Sequence, residues 1–452
     1  MVPHYASSVS NDAAIDRFQR LLRIPTISRA EAEETDWAAF ERFRESVLES
    51  YPAIAAATER ELIDEHTMLW RWPGQDPALR PAILMAHQDV VDPGRLEDWQ
   101  HPAFAADRVE HEGEDVIWGR GTIDDKGSLV ALLEAADALA ATGFRPRRDV
   151  WFVFGHDEET HGTGAAAAAA ALGDRGVRPE FVLDEGGAIV VGFLPGVTGR
   201  LAAIGITEKG GANFRLRVVG QGGHSSAPPP DSAILRLSRA IARIDRHPFP
   251  AKLTPAMRGM FRAAGGAGRG PLPWLYRHVG LTGPLLIRAL QSKPEGVGMT
   301  RTTRVATRIW GGHAHNAVPE RAEAIINTRI LAGESIASTL ERLRAAAADP
   351  AVEIELESGW EPSPIAPTSG TGWDLLVATL ADVVPDVTPA PYGQTGATDS
   401  RAFTGLTDAI YRFAPFEMSD EERAALHAVD ERIRVGSWLA GIGIYRELIS
   451  RL

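Results

Sequence analysis

The chain contains no cysteine in its 452 residues. This absence excludes disulfide bonds, thiol nucleophiles, redox-active cysteine pairs and metal sites that are built on thiolates. A metal site in this protein would therefore have to use His, Asp and Glu side chains, which bind zinc and similar ions through nitrogen and oxygen.

Positive charge and long apolar runs are also scarce. Lys and Arg total 47 against 60 Asp and Glu, which gives a formal net charge of −13. Because nucleic-acid binding needs a positive field, this balance argues against a nucleic acid as partner. No stretch approaches the roughly 18 apolar residues that a transmembrane helix requires. The first thirty residues lack the basic start and apolar block of a signal peptide, so we predict a cytoplasmic protein.

The first 200 residues alternate between strand-like and helix-like segments. Short, nearly continuous apolar runs at 82–86, 149–154 and 181–183 are typical of strands buried on both faces of a parallel sheet. Between the first two runs, residues 126–141 have the apolar spacing of a helix. This β-α-β pattern predicts an α/β domain with a mostly parallel sheet.

The pattern changes near Leu201. From there the segments follow the order strand, helix, strand, strand, helix, strand, which is the order of a ferredoxin-like α+β sandwich. We therefore predict a catalytic α/β domain formed by residues 1–202 and 360–452. An α+β domain, residues 203–359, would be inserted between these two parts.

A basic segment at about 248–297 is predicted to be a helical insertion within the second domain. Between Pro248 and Lys293 it has seven basic residues and no Asp or Glu, and it also carries Trp274 and Leu285. Two interpretations stay open. The segment is either a lid that contacts an anionic substrate or an anionic lipid surface, or a solvated basic face over a local apolar core.

Acidic and histidine residues follow each of the predicted buried strands. Ligands bind beyond the carboxyl ends of the strands in an open parallel sheet, so these residues predict a metal site with hard ligands and one or two ions. The strand-end residues are His87, Asp89, Glu158, Glu159 and Asp184, and a glycine-framed turn before the helix at 126–141 adds Asp124 and Asp125.

The spacing of these residues suggests that they have different roles at the site. In an extended chain, His87 and Asp89 point the same way, so Asp89 can orient a ligating His87. The side chains of Glu158 and Glu159 diverge because they are adjacent. One of the two can bind a metal while the other acts as a general base.

Seven motifs together resemble a known enzyme family. They are similar to those of the co-catalytic di-zinc family that includes glutamate carboxypeptidase, aminoacylase, carnosine dipeptidase and carboxypeptidase S, and the resemblance covers nearly the whole chain. Within this family the chain looks most like the carboxypeptidase S branch and its N-acyl-amino-acid hydrolase relatives. The motifs are MAHQDVV, WGRGTIDDKG, GHDEETHGTG, VLDEGG, GGHSSAPP, GGHAHNAVPERAEAIINTRI and TGATDSRAF.

The resemblance implies a site for two zinc ions, with cobalt or manganese as alternatives. His87, Asp124 and Asp184 would bind one ion, whereas Asp124, Glu159 and His427 would bind the other, with Asp124 bridging the two. Without the resemblance, His427 is as well explained as a plain histidine beside a helix. The family pattern also implies a cis peptide bond after the bridging aspartate.

The resemblance also implies which residues act on the substrate. Glu158 would be the general base and acid, Asp89 would orient the first ligating histidine, and His224 would stabilise the oxyanion. In many relatives the residue that corresponds to His224 reaches into the partner subunit's site. Asn316 and Arg401 would hold the carboxylate of the substrate.

The expected function is hydrolysis of the amide bond in N-acyl amino acids or in short peptides with a free carboxylate. One alternative within the same chemistry is a dipeptidase or a deacylase of small N-acetyl amino acids. An alternative of another class is a catalytically silent, metal-dependent binding protein. The oligomeric state stays open, and a homodimer through the inserted domain is one expectation.

Overall fold

The computed structural model describes residues 11–160, 162–192 and 194–452 of the chain. None of the described helices is long and apolar enough to cross a membrane. The strands are β1 Glu59–Ile63, β2 Thr67–Trp72, β3 Ala82–His87, β4 Asp107–His111, β5 Glu114–Trp118, β6 Val150–Gly155, β7 Phe181–Asp184, β8 Ile189–Val191, β9 Arg200–Glu208, β10 Gly210–Val219, β11 Gly223–His224, β12 Thr303–Gly311, β13 Ala317–Val318, β14 Arg321–Ile330, β15 Val352–Trp360, β16 Val387–Gln394, β17 Ile410–Arg412 and β18 Arg432–Arg434.

Helices account for most of the remaining regular structure. The α-helices are α1 Asn11–Leu22, α2 Trp37–Ser50, α3 Pro52–Ala57, α4 Lys126–Ala140, α5 Thr163–Asp174, α6 Ala233–Arg246, α7 Pro255–Gly266, α8 Pro271–Arg277, α9 Val279–Leu290, α10 Pro294–Thr300, α11 Ile336–Ala347, α12 Thr371–Val383, α13 Asp420–Ala424 and α14 Val435–Ser450.

The larger sheet has the strand order β1-β2-β6-β3-β7-β17-β9-β16, and β8 pairs with β9. Its neighbours β6, β3, β7 and β17 run parallel, while β1 and β2 are antiparallel additions at one side. Alternate residues of β3 belong to different apolar clusters: Leu84 packs with α4 and α14 on one face, and Ile83 packs with α5 on the other. The predicted α/β domain with a parallel centre is confirmed.

A second, antiparallel sheet has the strand order β12-β14-β10-β15. Helices α6 and α11 pack on it and share a separate apolar core that includes Phe214, Leu237 and Leu343. This order, with a helix after the first and the third strand, is that of a ferredoxin-like sandwich, as predicted. The change from one sheet to the other falls between Glu208, the last residue of β9, and Gly210, the first residue of β10.

The basic segment forms helices α7 to α10, but these helices do not pack on the smaller sheet alone. Apolar residues of α7, including Met260 and Phe261, join the core of the larger sheet together with Ile204 of β9. Helix α7 approaches β16 so closely that a Cβ atom at Gly259 would lie 2.4 Å from Pro391 Cγ. The local apolar core that one interpretation gave to this segment is therefore part of the main core.

Candidate active site

The candidate site lies at the carboxyl ends of the parallel strands. His87, the last residue of β3, is in register with Gly155 at the end of β6. In the same way Asp184, the last residue of β7, is in register with Arg412 at the end of β17. Because these strands run in the same direction, the side chains that follow them meet at one edge of the sheet.

The carboxylate of Asp124 stands between two imidazole rings at this edge. Its Oδ1 atom lies 2.9 Å from Nε2 of His87, and its Oδ2 atom lies 2.9 Å from Nε2 of His427. The peptide bond between Asp124 and Asp125 is cis, as the resemblance implied. Each oxygen of one carboxylate thus faces a different histidine, which is the arrangement of a bridging ligand.

Two groups of candidate ligands share Asp124. The inner group consists of His87, Asp124 and Glu185, and the outer group consists of Asp124, Glu159 and His427. Within each group the ligand atoms all lie within 4.8 Å of one another. Bond lengths of about 2.0 to 2.2 Å to zinc place donor atoms roughly 3 to 4 Å apart, so both groups have a suitable size.

The composition of both groups also fits a bound metal ion. They offer nitrogen and carboxylate oxygen, which are donors that zinc accepts. In the outer group Nε2 of His427 lies 3.1 Å from Oε2 of Glu159. The other oxygen of Glu159, Oε1, is buried and has no hydrogen-bond partner within the described part of the chain. Such an orphaned carboxylate oxygen is costly unless a cation or a donor satisfies it.

Asp184, which the sequence predicts as a metal ligand, is in neither of these two groups. Its Oδ1 accepts the backbone N–H of Glu185 at 2.9 Å, and its Oδ2 accepts that of Ser400 at 2.8 Å. Side chains alternate along a strand, so Asp184 lies on the same side of β7 as Val182. Glu185, just beyond the strand, is the residue of this pair that belongs to the inner group.

Burial and neighbouring negative charges raise the pKa values of two carboxyl groups in the site, those of Glu185 and Glu158. Burial, followed by the negative charges of Asp124 and Asp125, raises the pKa of Glu185 well above its usual range. Burial likewise raises the pKa of Glu158, and the charge of Asp399 adds to this effect. So many acidic groups at one buried edge need a compensating positive charge, and bound cations supply one.

The imidazole of His427 has the opposite shift. Hydrogen bonds to the carboxylates of Asp124 and Glu159 raise its pKa to about 10. His427 is therefore held as a cation between two acids when no metal ion takes this place. A metal ion that binds here displaces the proton.

Asp89, which the sequence predicts to orient His87, contacts both His87 and the loop after β6. Its Oδ1 atom lies 3.2 Å from Nδ1 of His87, on the opposite side of the ring from the metal-facing Nε2. Its carboxylate also accepts the hydroxyl of Ser28 at 2.7 Å and the backbone N–H groups of Glu158 at 3.3 Å and Glu159 at 3.1 Å. One buried side chain thus fixes the orientation of His87 and the loop after β6.

Comparison with known proteins decides the family. Residues 83–451 match the sequence profile of the peptidase family M20/M25/M40. A probable carboxypeptidase S-like protein 2 of Dictyostelium discoideum is 33% identical over 456 residues, which are 99% of this chain and 87% of that protein. The human N-fatty-acyl-amino acid synthase/hydrolase PM20D1 is 34% identical over 460 residues, covering 99% and 89%.

The chain belongs to the M20 family. It is a metal-dependent hydrolase that acts on amide bonds. The fold agrees with this membership, because the M20 metallo-carboxypeptidase Sso-CP2 of Sulfolobus solfataricus superposes with a TM-score of 0.69 at 17% identity, covering 97% of this chain and 98% of that structure.

Glu431 is a residue of this M20 site that the sequence reasoning missed. Its buried carboxylate accepts Nη1 of Arg120 at 2.7 Å. It also accepts the backbone N–H groups of Gly121 at 3.1 Å, Ile123 at 2.8 Å and Asp124 at 3.1 Å. Glu431 therefore shapes the turn that presents the bridging aspartate.

The same network fixes the loop that carries His427. Arg120 donates from Nη2 to the carbonyl oxygen of Ala428, the residue next to His427, at 3.0 Å. His427 itself has a left-handed backbone with φ of 61°. The one signal in the sequence that could have identified Glu431 is its distance of four residues from His427, since a carboxylate so near a ligand is often an orienting group.

His224 and Asn316 lie apart from the metal-ligand groups in the single chain. Both are exposed: His224 lies in β11, where it pairs with Ala317 of β13, and Asn316 lies in the turn just before β13. The backbone N–H of Ser225 donates to the carbonyl oxygen of Asn316 at 3.0 Å. Nδ1 of His224 lies 2.7 Å from the hydroxyl oxygen of Ser226. Among the described residues, neither side chain has a hydrogen bond or ion pair to either ligand group.

Arg401 lies closer to the catalytic loop, at the start of the 3₁₀ helix Asp399–Gly405. A Cβ atom at Gly162, in the loop after Glu159, would lie 2.7 Å from Nη2 of Arg401. The guanidinium stacks 5.6 Å from the ring centroid of Trp360, the last residue of β15. Arg401 thus sits where the larger and the smaller sheet approach each other, with an aromatic face to hold it.

Proposed function

We propose that this M20 enzyme uses two zinc ions to hydrolyse the amide bond of N-acyl amino acids or of short peptides with a free carboxylate. Cobalt or manganese are alternatives for the metal. The observation that carries the proposal is the position of Asp124, whose two oxygens each lie 2.9 Å from a different histidine. The inner and outer groups then hold one ion each.

The residues around the metal groups supply the proton transfers. Bound zinc contributes a Lewis acid and lowers the pKa of water, which makes hydrolysis feasible at neutral pH. Glu158 takes a proton from the attacking water and passes it to the leaving amine. Its raised pKa suits this role, because a carboxylate whose pKa lies above its usual range accepts a proton more readily and can then return it.

Arg401 and Asn316 are proposed to bind the substrate carboxylate, and His224 is proposed to stabilise the oxyanion. Arg401 supports this assignment because its guanidinium lies beside the catalytic loop and has no ion pair with a described acid. Arginine binds carboxylates through two parallel hydrogen bonds. The name of the human relative, an N-fatty-acyl-amino acid hydrolase, supports N-acyl amino acids as the substrate class.

A homodimer through the smaller sheet is part of the proposal. Strand β12 is at the edge of that sheet and exposes the apolar side chains of Val305 and Ile309. An exposed apolar edge strand favours pairing with a second copy. In such a dimer His224 and Asn316 can approach the partner subunit's metal groups, which they do not reach in their own chain.

A substrate panel tests the proposed activity. The panel contains N-acetyl amino acids, long-chain N-acyl amino acids and dipeptides, each with a free carboxylate and as the carboxyl amide. We expect hydrolysis of the acids and a large loss of kcat/KM for the amides, because Arg401 loses its ionic partner. Equal rates for acids and amides would contradict the assignment of Arg401, and a preference for dipeptides would favour the dipeptidase alternative.

Removal of the metal ions distinguishes an enzyme from a catalytically silent binding protein. The apo protein should lose hydrolysis and regain it when zinc is added back. Glu158 and a full set of candidate ligands are present, so the catalytic interpretation is preferred over the silent one. A reconstituted protein that binds two zinc ions and hydrolyses none of the panel would support the silent alternative.

A further inference from the structure

Helices α8 and α9 carry an exposed stripe that the hydrolase activity does not explain. The stripe, which we call the α8–α9 stripe, runs along one side of the two helices at intervals of four, three, four and three residues. Its members are Trp274, His278, Leu281, Leu285 and Arg288, all of which are exposed.

The two helices are joined so closely that the stripe is continuous. The backbone N–H of His278 donates to the carbonyl oxygen of Trp274 at 3.1 Å, and the backbone N–H of Leu281 donates to the carbonyl oxygen of His278 at 2.8 Å. The rings of Trp274 and His278 lie 4.5 Å apart. Residues three and four apart share one face of α9, and the ring contact between His278 and Trp274 extends this face to α8.

The opposite side of the same helices is buried. Tyr276, Val279 and Leu286 belong to the main core, which anchors the two helices firmly to the larger sheet. In contrast, Leu281 is 78% exposed, Leu285 54% and Trp274 50%. Large apolar side chains stabilise a protein when they are buried, and these side chains stay in water. Contiguous apolar groups on a surface usually mark a contact site.

Positive charge without ion-pair partners lies in the same helical segment as the stripe. Of the seven basic residues in the segment, Lys252 forms an ion pair, with its Nζ atom 3.2 Å from Oε1 of Glu334. The other six basic residues are exposed and form no ion pair with a described acid, and no Asp or Glu occurs between Pro248 and Lys293. These six are Arg258, Arg262, Arg269, Arg277, Arg288 and Lys293.

We propose that the α8–α9 stripe docks on the surface of an anionic lipid membrane. A protruding tryptophan and two leucines can enter the boundary between headgroups and acyl chains, while the surrounding arginines contact lipid phosphates. A protein partner fits this surface less well, because a specific protein interface would need matching acidic side chains at fixed positions. A surface of apolar and positively charged side chains needs only an interface that is apolar and carries negative charge.

Vesicle sedimentation of the purified full chain tests this proposal. Vesicles of phosphatidylglycerol and phosphatidylcholine should carry the protein into the pellet, and vesicles of phosphatidylcholine alone should bind it at least about tenfold more weakly. High salt should reduce the binding to anionic vesicles. Absence of binding to the anionic vesicles, or equal binding to both compositions, overturns the proposal.

The double variant Leu281→Ser/Leu285→Ser locates the binding surface. It should weaken binding to the anionic vesicles by about tenfold or more, because two large apolar side chains no longer enter the lipid. Leu62→Ser, which changes a leucine of β1 that is 49% exposed, is the matched control and should bind like the unaltered protein. An unchanged affinity of the double variant contradicts the proposal.

Two further measurements keep the test specific. Hydrolysis of a short, water-soluble N-acyl amino acid should be unchanged in the double variant, which shows that the fold and the site are intact. Size-exclusion chromatography with light scattering should give the same mass for both proteins. A dimer that dissociates in the double variant would make the stripe an interface between two copies and would overturn the lipid assignment.

Discussion

The inner and the outer ligand groups share one aspartate but differ in how the fold holds them. His87, in the inner group, is 1% exposed and ends a central strand, where the register with β6 fixes its position. His427, in the outer group, is 56% exposed and lies on a loop more than three hundred residues further along the chain. The strand ends determine the inner group, whereas the outer group depends on contacts between distant segments.

Glu431 and Arg120 supply those contacts. Their side chains are 2.7 Å apart and almost completely buried. The pair ties the turn of Asp124 to the segment that carries His427, so the distance between the two ligand groups is set outside the ligands themselves. The comparison therefore predicts that a change in the Arg120–Glu431 pair weakens the outer group more than the inner group.

The largest expected effect comes from Glu158, the proposed general base. Glu158→Gln should lower kcat by about 10²- to 10⁴-fold, because the variant has no group to accept and return the proton. The metal content should stay the same, since Glu158 is in neither ligand group. Metal analysis together with steady-state kinetics checks this prediction, and a variant with full metal and full rate would refute the general-base assignment.

A pair of neighbouring substitutions tests the inner group. Glu185→Ala should lose one metal ion per chain at metal concentrations that saturate the unaltered protein, because a carboxylate ligand is missing. Asp184→Asn should keep both ions. Its expected effect is on stability, about 1 to 3 kcal/mol, because the amide cannot accept both N–H groups that Asp184 now accepts. Loss of metal in Asp184→Asn but not in Glu185→Ala would show that Asp184, and not Glu185, is the ligand in the inner group.

Glu431→Asp tests the outer group without removing a ligand. The shorter side chain keeps a charge opposite Arg120 but retracts the carboxylate from the N–H groups of the turn. We expect about 10- to 100-fold weaker binding of the ion in the outer group and a smaller loss for the ion in the inner group, because the two groups share Asp124 but only the outer one contains His427. Competition with a chelator measures the two affinities. Equal weakening of both ions would show that the two groups are not held independently.

The smallest expected effect concerns the metal-free protein at high pH. The pKa of His427 is about 10 in the folded chain against an ordinary value of 6.5, so the stability that this residue contributes is complete below pH 6.5 and is lost as the pH rises through 10. Solvent screens an exposed pair, which limits the contribution to roughly 0 to 1 kcal/mol. Urea unfolding of apo protein and of apo His427→Gln at pH 6 and pH 10 measures it.

The His427→Gln variant distinguishes the loss of stability caused by His427 from the general loss of stability at high pH. The loss of stability between the two pH values should be larger in the unaltered protein than in His427→Gln. An identical loss in both proteins would mean that His427 is not held between Asp124 and Glu159 in the absence of metal.

The sequence predicted the parallel centre of the fold well, because strands such as β3 are apolar throughout and end in polar residues. It did not predict β16, whose two prolines argue against a strand. Pro389 and Pro391 are tolerated because β16 lies at the edge of the sheet, where fewer N–H groups must pair. The predicted boundary between residues 202 and 203 also falls inside β9, which pairs with the distant strands β16 and β17 as well as with β8.

For the site, the sequence pattern identified the residues whose side-chain direction follows from a strand or a tight turn. His87, Asp89 and Asp124 are of this kind. The choice between Asp184 and Glu185 required the position at which β7 ends, which composition does not give. His427 and Glu431 required a long-range contact, and only the family resemblance pointed to His427.

The arrangement of two metal ions about Asp124 is the centre of this account, and anomalous diffraction from zinc-bound crystals tests it most directly. We predict two zinc peaks on either side of the Asp124 carboxylate, one bound by His87 and Glu185 and the other by Glu159 and His427. A single peak at full zinc occupancy, or an inner ion bound by Asp184 in place of Glu185, would contradict the account.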